Sequence, residues 1–166
     1  NSSKCERCRT RSRRFEPVVP RHRLTIRSID PDPRASAIVA AAGQLGLPIS
    51  RADDVRVADL VFLEGDLGCD ALTTLHGFLV DPLLQHGSWD LPTGPGTEIT
   101  FLPGVTDNAS ASLQLAADRL GVPVSGAATG RRIEFGPDVS SDDAERIIRR
   151  VVANPVIERW TAGCIE

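Results

Sequence analysis

The stretch "RLTIRSI" near the start of the chain alternates polar and apolar side chains, as a half-buried β-strand does. Leu24 and Ile26 are among its apolar members. Apolar residues at helical spacing follow, with Asp32-Pro33 before them and Gly46 after them. An aspartate oxygen caps free amides, proline suits the first helical position, and glycine suits the C-terminal cap. The pattern predicts a strand followed by a helix that ends near Gly46.

The same pattern recurs in the second part of the chain. "LGLPIS" at 45–50 corresponds to "LGVPVS" at 120–125. Extended without gaps, this alignment also places Asp32 over Asp107 and Ile26 over Phe101. The correspondence slips in the following turn and returns where "VDPLL" stands in one copy and "ANPVI" in the other. The sequence therefore predicts two tandem units of roughly 65 residues each.

Each unit is expected to be α+β, with the order strand–helix–strand–strand–helix–strand. This is the ferredoxin-like βαββαβ pattern, in which two helices cover one face of a four-stranded antiparallel sheet. The strands between the helices are predicted within "DVRVADLVFLEG" and "GRRIEFG". A core of that size is marginal alone, so the second unit is expected to pack on the first as a pseudo-dimer and cover its open sheet face.

The second helix of each unit is predicted to end at a proline. Asp81-Pro82 and Asn154-Pro155 each follow an apolar run and precede a short apolar pair. Proline lacks an amide hydrogen and moves the preceding residue away from helical angles, and Asp or Asn tolerates the turn. Both sites are therefore expected to stop a helix and lead directly into the final strand of the unit.

These patterns divide the chain into five segments. They are a basic head that is expected to be disordered in isolation (1–21), a first unit (22–90), a Gly/Pro linker (91–97), a second unit (98–162), and a tail leading toward a further domain (163–166). The chain contains no Met. We therefore expect it to be a segment of a longer polypeptide.

Composition and charge narrow the function classes. Hydrophobic content is 41% and charged content is 25%, and no apolar run has the roughly 18–20 residues of a membrane span. Residues 1–23 carry eight Lys/Arg and two Asp/Glu. The remainder of the chain carries 11 Lys/Arg and 20 Asp/Glu and is therefore acidic. The acidic remainder argues against nucleic acid as a partner, and the head could alternatively serve as a basic arm for RNA or a membrane surface. The expected location is the cytoplasm.

Few residues suggest chemistry. Cys5-x-x-Cys8 could hold half of a zinc site, but no second pair stands at suitable spacing. Cys69, His76 and His86 could form a nucleophile or metal site, although the second unit has no matching His. The favoured interpretation is that all three are structural.

Two further pairs have alternative interpretations. Arg131-Arg132 could bind an anion, but a solvated pair at the start of a strand is the favoured interpretation. Trp89 and Trp160 stand at equivalent strand ends and could stack a base. Covering an open sheet face is the more favoured role for both.

Two segments carry a family resemblance: "FLPGVTDNASASLQLAADRLG" at 101–121 and "VVANPVIERW" at 151–160. With them, the chain resembles the small-subunit-type module of phosphoribosylformylglycinamidine synthase, the glutamine-dependent ATP ligase of purine biosynthesis. The matching motif "PGVTD" contains Pro103, Gly104 and Asp107. "LEGDL" and "LVDPLLQ" are similar to the family in the first unit, where "SIDPDP" replaces "PGVTD".

The resemblance implies a tandem, non-catalytic N-terminal domain of the large single-chain enzyme. The complete enzyme converts formylglycinamide ribonucleotide, ATP and glutamine to the amidine. The ATP and Mg²⁺ sites and the glutaminase cysteine are expected in other domains, so no catalytic, cofactor or metal residue is assigned here. The implied partners are the synthetase and glutaminase parts, and the implied role is to dock them and help shape the ammonia passage. The alternative is a regulatory module that binds a small metabolite between the units.

Overall fold

The computed structural model describes residues 19–165. Within this range, strands and helices alternate in two successive halves. The first half contains β1 (Arg21–Ser28), α1 (Pro33–Gln44), a 3₁₀ turn (Ala52–Asp54), β2 (Val55–Glu64), α2 (Cys69–Leu79) and β3 (Gln85–Ser88). The second half contains β4 (Thr97–Phe101), α3 (Asn108–Arg119), β5 (Gly126–Phe135), α4 (Ser141–Ile147), a π-helical turn (Ile148–Val152) and β6 (Glu158–Ala162).

All six strands belong to one antiparallel sheet with the order β3-β1-β2-β5-β4-β6. The two halves meet at its centre, where β2 pairs with β5 along its whole length, from Val55 opposite Phe135 to Glu64 opposite Gly126. The predicted α+β class is confirmed. The sheet is continuous across both halves.

The region between the helices of each half differs from the prediction. Two short strands are expected there, but the described chain has a single long strand, β2 or β5. The edge that a further strand would occupy is taken by the long strand of the other half. The prediction of four strands per unit is therefore wrong for the described residues, and the halves meet edge to edge rather than by one covering the other's open face.

The helices pack on one face of this sheet, because alternate residues of β2 share buried clusters with residues of all four helices. Val55 and Val57 lie in a buried cluster with residues of α1 and α4, and Val61 and Leu63 lie in a second cluster with residues of α2 and α3. Each cluster therefore combines one helix from each half. The core cannot be divided between the halves without exposing both clusters.

The predicted helix starts and stops are confirmed in both halves. Asp32 Oδ1 accepts from the Arg34 amide at 2.8 Å, and Asp107 Oδ1 accepts from the Ser110 amide at 3.0 Å. After the helices, Gly46 has φ 66° and its equivalent Gly121 has φ 71°, in the left-handed region that glycine favours.

When the two halves are compared, their strands and their helices require different sequence alignments. The Ile29 amide donates to the Leu84 carbonyl, and the Leu102 amide makes the equivalent bond to the Ile157 carbonyl. The strands therefore place Ile29 over Leu102, whereas the helix caps place Asp32 over Asp107. The ungapped alignment of Ile26 with Phe101 is wrong by two positions, because the loop before α3 is longer than the loop before α1.

Candidate functional site

The first corner, residues 80–85, connects α2 to β3 through a hydrogen-bonded turn. Asp81 Oδ1 accepts from the Leu83 amide at 2.8 Å, and Gln85 Oε1 accepts from the Asp81 amide at 3.0 Å. The Gln85 amide also donates to the Asp81 carbonyl at 2.8 Å. Pro82 stands inside this turn, where its missing amide hydrogen costs no bond.

The second corner, residues 153–158, has the same bonds. Asn154 Oδ1 accepts from the Val156 amide at 3.1 Å, and Glu158 Oε2 accepts from the Asn154 amide at 2.8 Å. The Glu158 amide donates to the Asn154 carbonyl at 2.8 Å. Pro155 takes the position that Pro82 has in the first corner.

Glu158 has a second partner that the first corner lacks. Arg131 donates to both of its carboxylate oxygens, at 2.7 and 2.9 Å, and also to the Val152 carbonyl at 2.8 Å. Glu158 is only 7% exposed, and burial by itself would raise its pKa. The hydrogen bonds from Arg131 and the Asn154 amide outweigh burial and lower the pKa below its ordinary value of 4.5. The second corner is therefore tied to the central strand β5.

Both corners end a helix, as predicted, but neither leads directly into a strand. β3 begins at Gln85 and β6 at Glu158, after the apolar pair in each case. The two apolar pairs lie in the turns, where Leu83 is 83% and Val156 is 78% exposed. Each half therefore presents apolar side chains to solvent at the same place.

The "PGVTD" motif forms the loop between β4 and α3. The Val105 amide donates to the Leu102 carbonyl at 3.1 Å across Pro103 and Gly104, and Gly104 has φ 86°, which this turn requires. Asp107 then bonds beyond its own helix. Its Oδ2 accepts from the Thr129 amide at 2.7 Å, which joins the start of α3 to β5.

The sheet face opposite the helices carries a charge cluster of Arg23, Arg27, Glu98, Arg132 and Glu134. Glu98, with no exposed surface, accepts from both Arg23 and Arg132 and also from the Ile165 amide at 2.7 Å. Arg132 and Arg27 each donate to Glu134 at 2.7 Å. The chain segment around residue 163 thus passes over a face that has no helix.

Within this cluster the ion pairs favour the charged forms of Arg132 and Glu134. Burial lowers the pKa of Arg132, but Glu134 and Glu98 outweigh burial and raise it. Burial raises the pKa of Glu134, but Arg132 and Arg27 outweigh burial and lower it. Arg23 Nε and Thr25 Oγ1 are buried and have no hydrogen-bond partner among residues 19–165.

The prediction of a solvated Arg131-Arg132 pair is wrong. Consecutive strand residues point to opposite faces, so Arg131 reaches Glu158 on the helix side and Arg132 enters the charge cluster, where it has no exposed surface. The charge cluster is absent from the sequence predictions. The alternation Arg132-x-Glu134 within a strand is the signal that could have indicated it.

Both tryptophans are structural, but not where expected. Trp160 packs against the cluster of α1 and α4, and Trp89 packs against the cluster of α2 and α3. They lie on the helix-covered side of the sheet and not on its open face.

The Cys and His residues do not assemble into a site within residues 19–165. No group of three metal-binding side chains occurs there. His76 Nε2 lies 3.2 Å from the Gly87 carbonyl and joins α2 to β3, whereas Cys69 is exposed at the first position of α2. Cys5 and Cys8 lie outside the described residues.

The fold of residues 19–165 defines the class of protein: an α+β domain with one six-stranded antiparallel sheet and four helices on one face. No helix in the described chain is long and apolar enough to cross a membrane. A scan of the sequence against protein-family models finds no match, and a search of curated proteins also finds none.

Proposed function

We propose that this chain is a non-catalytic docking domain of phosphoribosylformylglycinamidine synthase in purine biosynthesis. In this role it is a cytoplasmic N-terminal domain of the large single-chain enzyme. It holds the synthetase and glutaminase parts together and helps shape the ammonia passage between them. ATP and Mg²⁺ bind in other parts of the complete enzyme. The proposal begins from the resemblance of the 101–121 and 151–160 segments.

The proposal includes a finer description of the fold. The two halves are a tandem duplication, in which each half is a ferredoxin-like unit that lacks one edge strand and receives the long strand of the other. Equivalent caps at Asp32 and Asp107, equivalent glycines and equivalent corners support this description. The pairing of β2 with β5 supports a pseudo-dimer arrangement of the two halves.

The observation that carries the docking role is the exposed apolar pair in each corner. Leu83 and Leu84 in the first corner match Val156 and Ile157 in the second, and all four are exposed. Contiguous exposed apolar side chains at loops favour contact with another protein surface. These pairs lie within "LVDPLLQ" and "NPVIE", the segments that resemble the family.

The polar side chains of the same segments support a structural role. Asp81 and Asn154 bind amides within their own turns, and Asp107 binds Ser110 and Thr129. One oxygen of Asp81, the amide oxygen of Asn154 and both oxygens of Asp107 thus accept bonds that form the fold. This arrangement suits a domain whose surface is used for docking.

The test uses the chain expressed with its candidate synthetase and glutaminase parts. Replacing Leu83 and Val156 together by Ser removes an exposed apolar group from each corner. Because such groups contribute over ~1 kcal/mol when they form the centre of an interface, we expect glutamine-dependent activity to fall by about tenfold or more. Ammonia-dependent activity should change by less than about twofold, since the synthetase chemistry lies elsewhere.

The control replaces Leu45 and Leu115 by Ser, because these leucines are also more than half exposed and lie at the end of α1 and in α3, away from the corners. This control should leave both activities unchanged. Unchanged glutamine-dependent activity in the corner variant would overturn the docking role. An equal loss in the corner variant and the control would also contradict it.

A further inference from the structure

A cleft of about 510 Å³ opens between the two halves, at the end of the sheet that holds the "PGVTD" loop. Its walls include Arg21, Phe62 and Glu64 from the first half, and Val105 and Arg159 from the second. Clefts that bind small molecules have volumes of roughly 300–1,000 Å³. The cleft is therefore large enough for such a ligand, and its lining is complete only when the halves are paired.

The equivalent cleft of the first half is smaller, about 360 Å³, and its loop is held differently. There, Arg34 joins Asp32 to Asp59 through contacts of 2.7 and 2.6 Å. In the alignment of the helix caps, the residue that corresponds to Arg34 is Ala109. In the second half Asp107 binds Thr129 instead, and no arginine from α3 bridges the loop to the sheet.

Two arginines line the larger cleft, and among the described residues only Arg159 has no acidic partner. Glu64 is paired with Arg21 at 3.1 Å, and both carboxylate oxygens of Asp107 accept hydrogen bonds from Ser110 or Thr129. Arg159 donates from Nε to Thr100 Oγ1 at 3.3 Å.

The Nη1 and Nη2 groups of Arg159 have no partner within residues 19–165, and the residue is exposed. Two parallel N–H groups of a guanidinium match the oxygens of a carboxylate or a phosphate. Arg159 is therefore the group in this cleft that suits an anion.

The remaining lining is mainly apolar and small. Phe62 contributes an aromatic ring, and Gly126 and Ala128, on the same face of β5 as each other, form a strand surface with little side-chain bulk. A Cβ at Gly126 would lie 2.9 Å from Oε2 at the movable end of the Glu64 side chain. A compact apolar or planar group fits against such a surface.

We propose that this cleft binds a small molecule that joins a carboxylate or phosphate group to a compact apolar or planar body. The anion pairs with Arg159, and the body lies against Phe62 and Ala128. This binding site goes beyond the docking role and uses neither corner turn. In the first half the position of Arg159 is taken by His86, the second residue of β3, and the smaller cleft is lined instead by Arg27 and Arg56.

The test is an NMR titration of the whole chain with phenyl phosphate, benzoate, inorganic phosphate and benzyl alcohol. We expect phenyl phosphate or benzoate to shift the amide signals of Val105, Ala128 and Thr129 saturably. Benzyl alcohol, which lacks the charge, and inorganic phosphate, which lacks the ring, should each bind at least about fivefold more weakly than the better aromatic anion. Comparing the two aromatic anions distinguishes a phosphate from a carboxylate ligand.

Arg159→Gln should weaken binding of the better anion by about tenfold or more, since it removes a charge-assisted pair. Arg159→Lys should restore part of the affinity. Arg150→Gln removes an exposed arginine that does not line the cleft and should leave the affinity unchanged.

Absence of saturable shifts with both aromatic anions would overturn the proposal, and so would equal binding of benzyl alcohol or unchanged affinity in Arg159→Gln. The docking role is tested by the enzyme activity of the corner variant, whereas the cleft is tested by ligand binding. Each proposal can therefore fail without the other.

Discussion

The two corners have the same backbone bonds but opposite placement of charge. The first corner places the acid at Asp81 and the amide at Gln85, whereas the second places the amide at Asn154 and the acid at Glu158. Either oxygen accepts the same amide hydrogen bond, so the turn itself is indifferent to the exchange. The exchange matters for what the corner can bind outside the turn.

The two central strands, β2 and β5, differ in the ion pairs that they form. Asp59 of β2 stands directly opposite Arg131 of β5. Asp59 is bound by Arg34 from α1, whereas Arg131 binds Glu158 at the second corner. In one half the central strand is thus tied to the first helix, and in the other to the last turn. Matching backbones therefore tolerate different ionic connections.

The largest expected effect comes from breaking the connection between the halves at Glu98. Glu98→Gln leaves Arg23 and Arg132 buried without their shared carboxylate. Removing one partner from a buried ion pair costs about 3–5 kcal/mol, and we expect the free energy of unfolding to fall by that amount in urea denaturation. A loss below about 1 kcal/mol would contradict the importance of this cluster.

The matched control is Thr25→Val. When the strands are aligned, Thr25 takes in β1 the place that Glu98 has in β4. It is almost as fully buried, and its hydroxyl has no partner in the part of the chain that the structure describes. Valine has nearly the same shape, so this substitution should leave the free energy of unfolding unchanged or raise it by up to about 1 kcal/mol.

A smaller effect is expected from exchanging the acid and amide between the corners. Glu158→Gln removes the ion pair with Arg131 and should lower the free energy of unfolding at pH 7 by about 2 kcal/mol. Gln85→Glu adds a carboxylate where no arginine binds the corner and should change it by less than about 0.5 kcal/mol. Equal effects of the two substitutions would remove the proposed difference between the corners.

The same pair gives a pH dependence. The pKa of Glu158 is lower in the folded protein than its ordinary value of 4.5, so its stabilisation is fully present above about 4.5. That stabilisation is lost as the pH falls through the lower folded pKa. In urea denaturation between pH 7 and pH 2, the difference between the natural chain and Glu158→Gln should therefore shrink below about pH 4.5.

The smallest expected effect tests what the corners share. Asp81→Ala and Asn154→Ala each remove one side-chain bond to an amide in the turn. Each should lower the free energy of unfolding by about 1 kcal/mol, and the two losses should agree within about 0.5 kcal/mol. A markedly larger loss for one substitution would show that the two turns are not energetically equivalent.

Local elements were predictable because their signals lie within a few residues. The helices α1 and α3 start at Asp32-Pro33 and Asp107, and Gly46 and Gly121 follow them. Each capping hydrogen bond joins residues that are close in the sequence. The corners were predicted to stop helices but not to expose their apolar pairs. From the sequence, an apolar pair next to a strand is expected to be buried. Only the observed turn shows that Leu83 and Val156 are exposed to solvent.

The functional surfaces were less predictable. The cleft at Arg159 needs Phe62 and Glu64 from the other half, and the charge cluster needs Arg23 to meet Glu98, which is distant in sequence. Neither contact has a local pattern. Arg131 and Arg132 illustrate the problem. As neighbours in the sequence they look like a pair of surface arginines, but in a strand their side chains point to opposite faces of the sheet.

By itself, the sequence determined the α+β class, the caps that start α1 and α3, and the prolines that end α2 and the helical run before β6. These features depend on backbone angles and amide bonds that neighbouring residues control. Only the tertiary structure decided that β2 pairs with β5, that each core cluster takes a helix from both halves, and that Glu98 is buried. Strand pairing and burial depend on which surfaces meet after the chain folds, and equivalent edges in two similar halves can meet in more than one way.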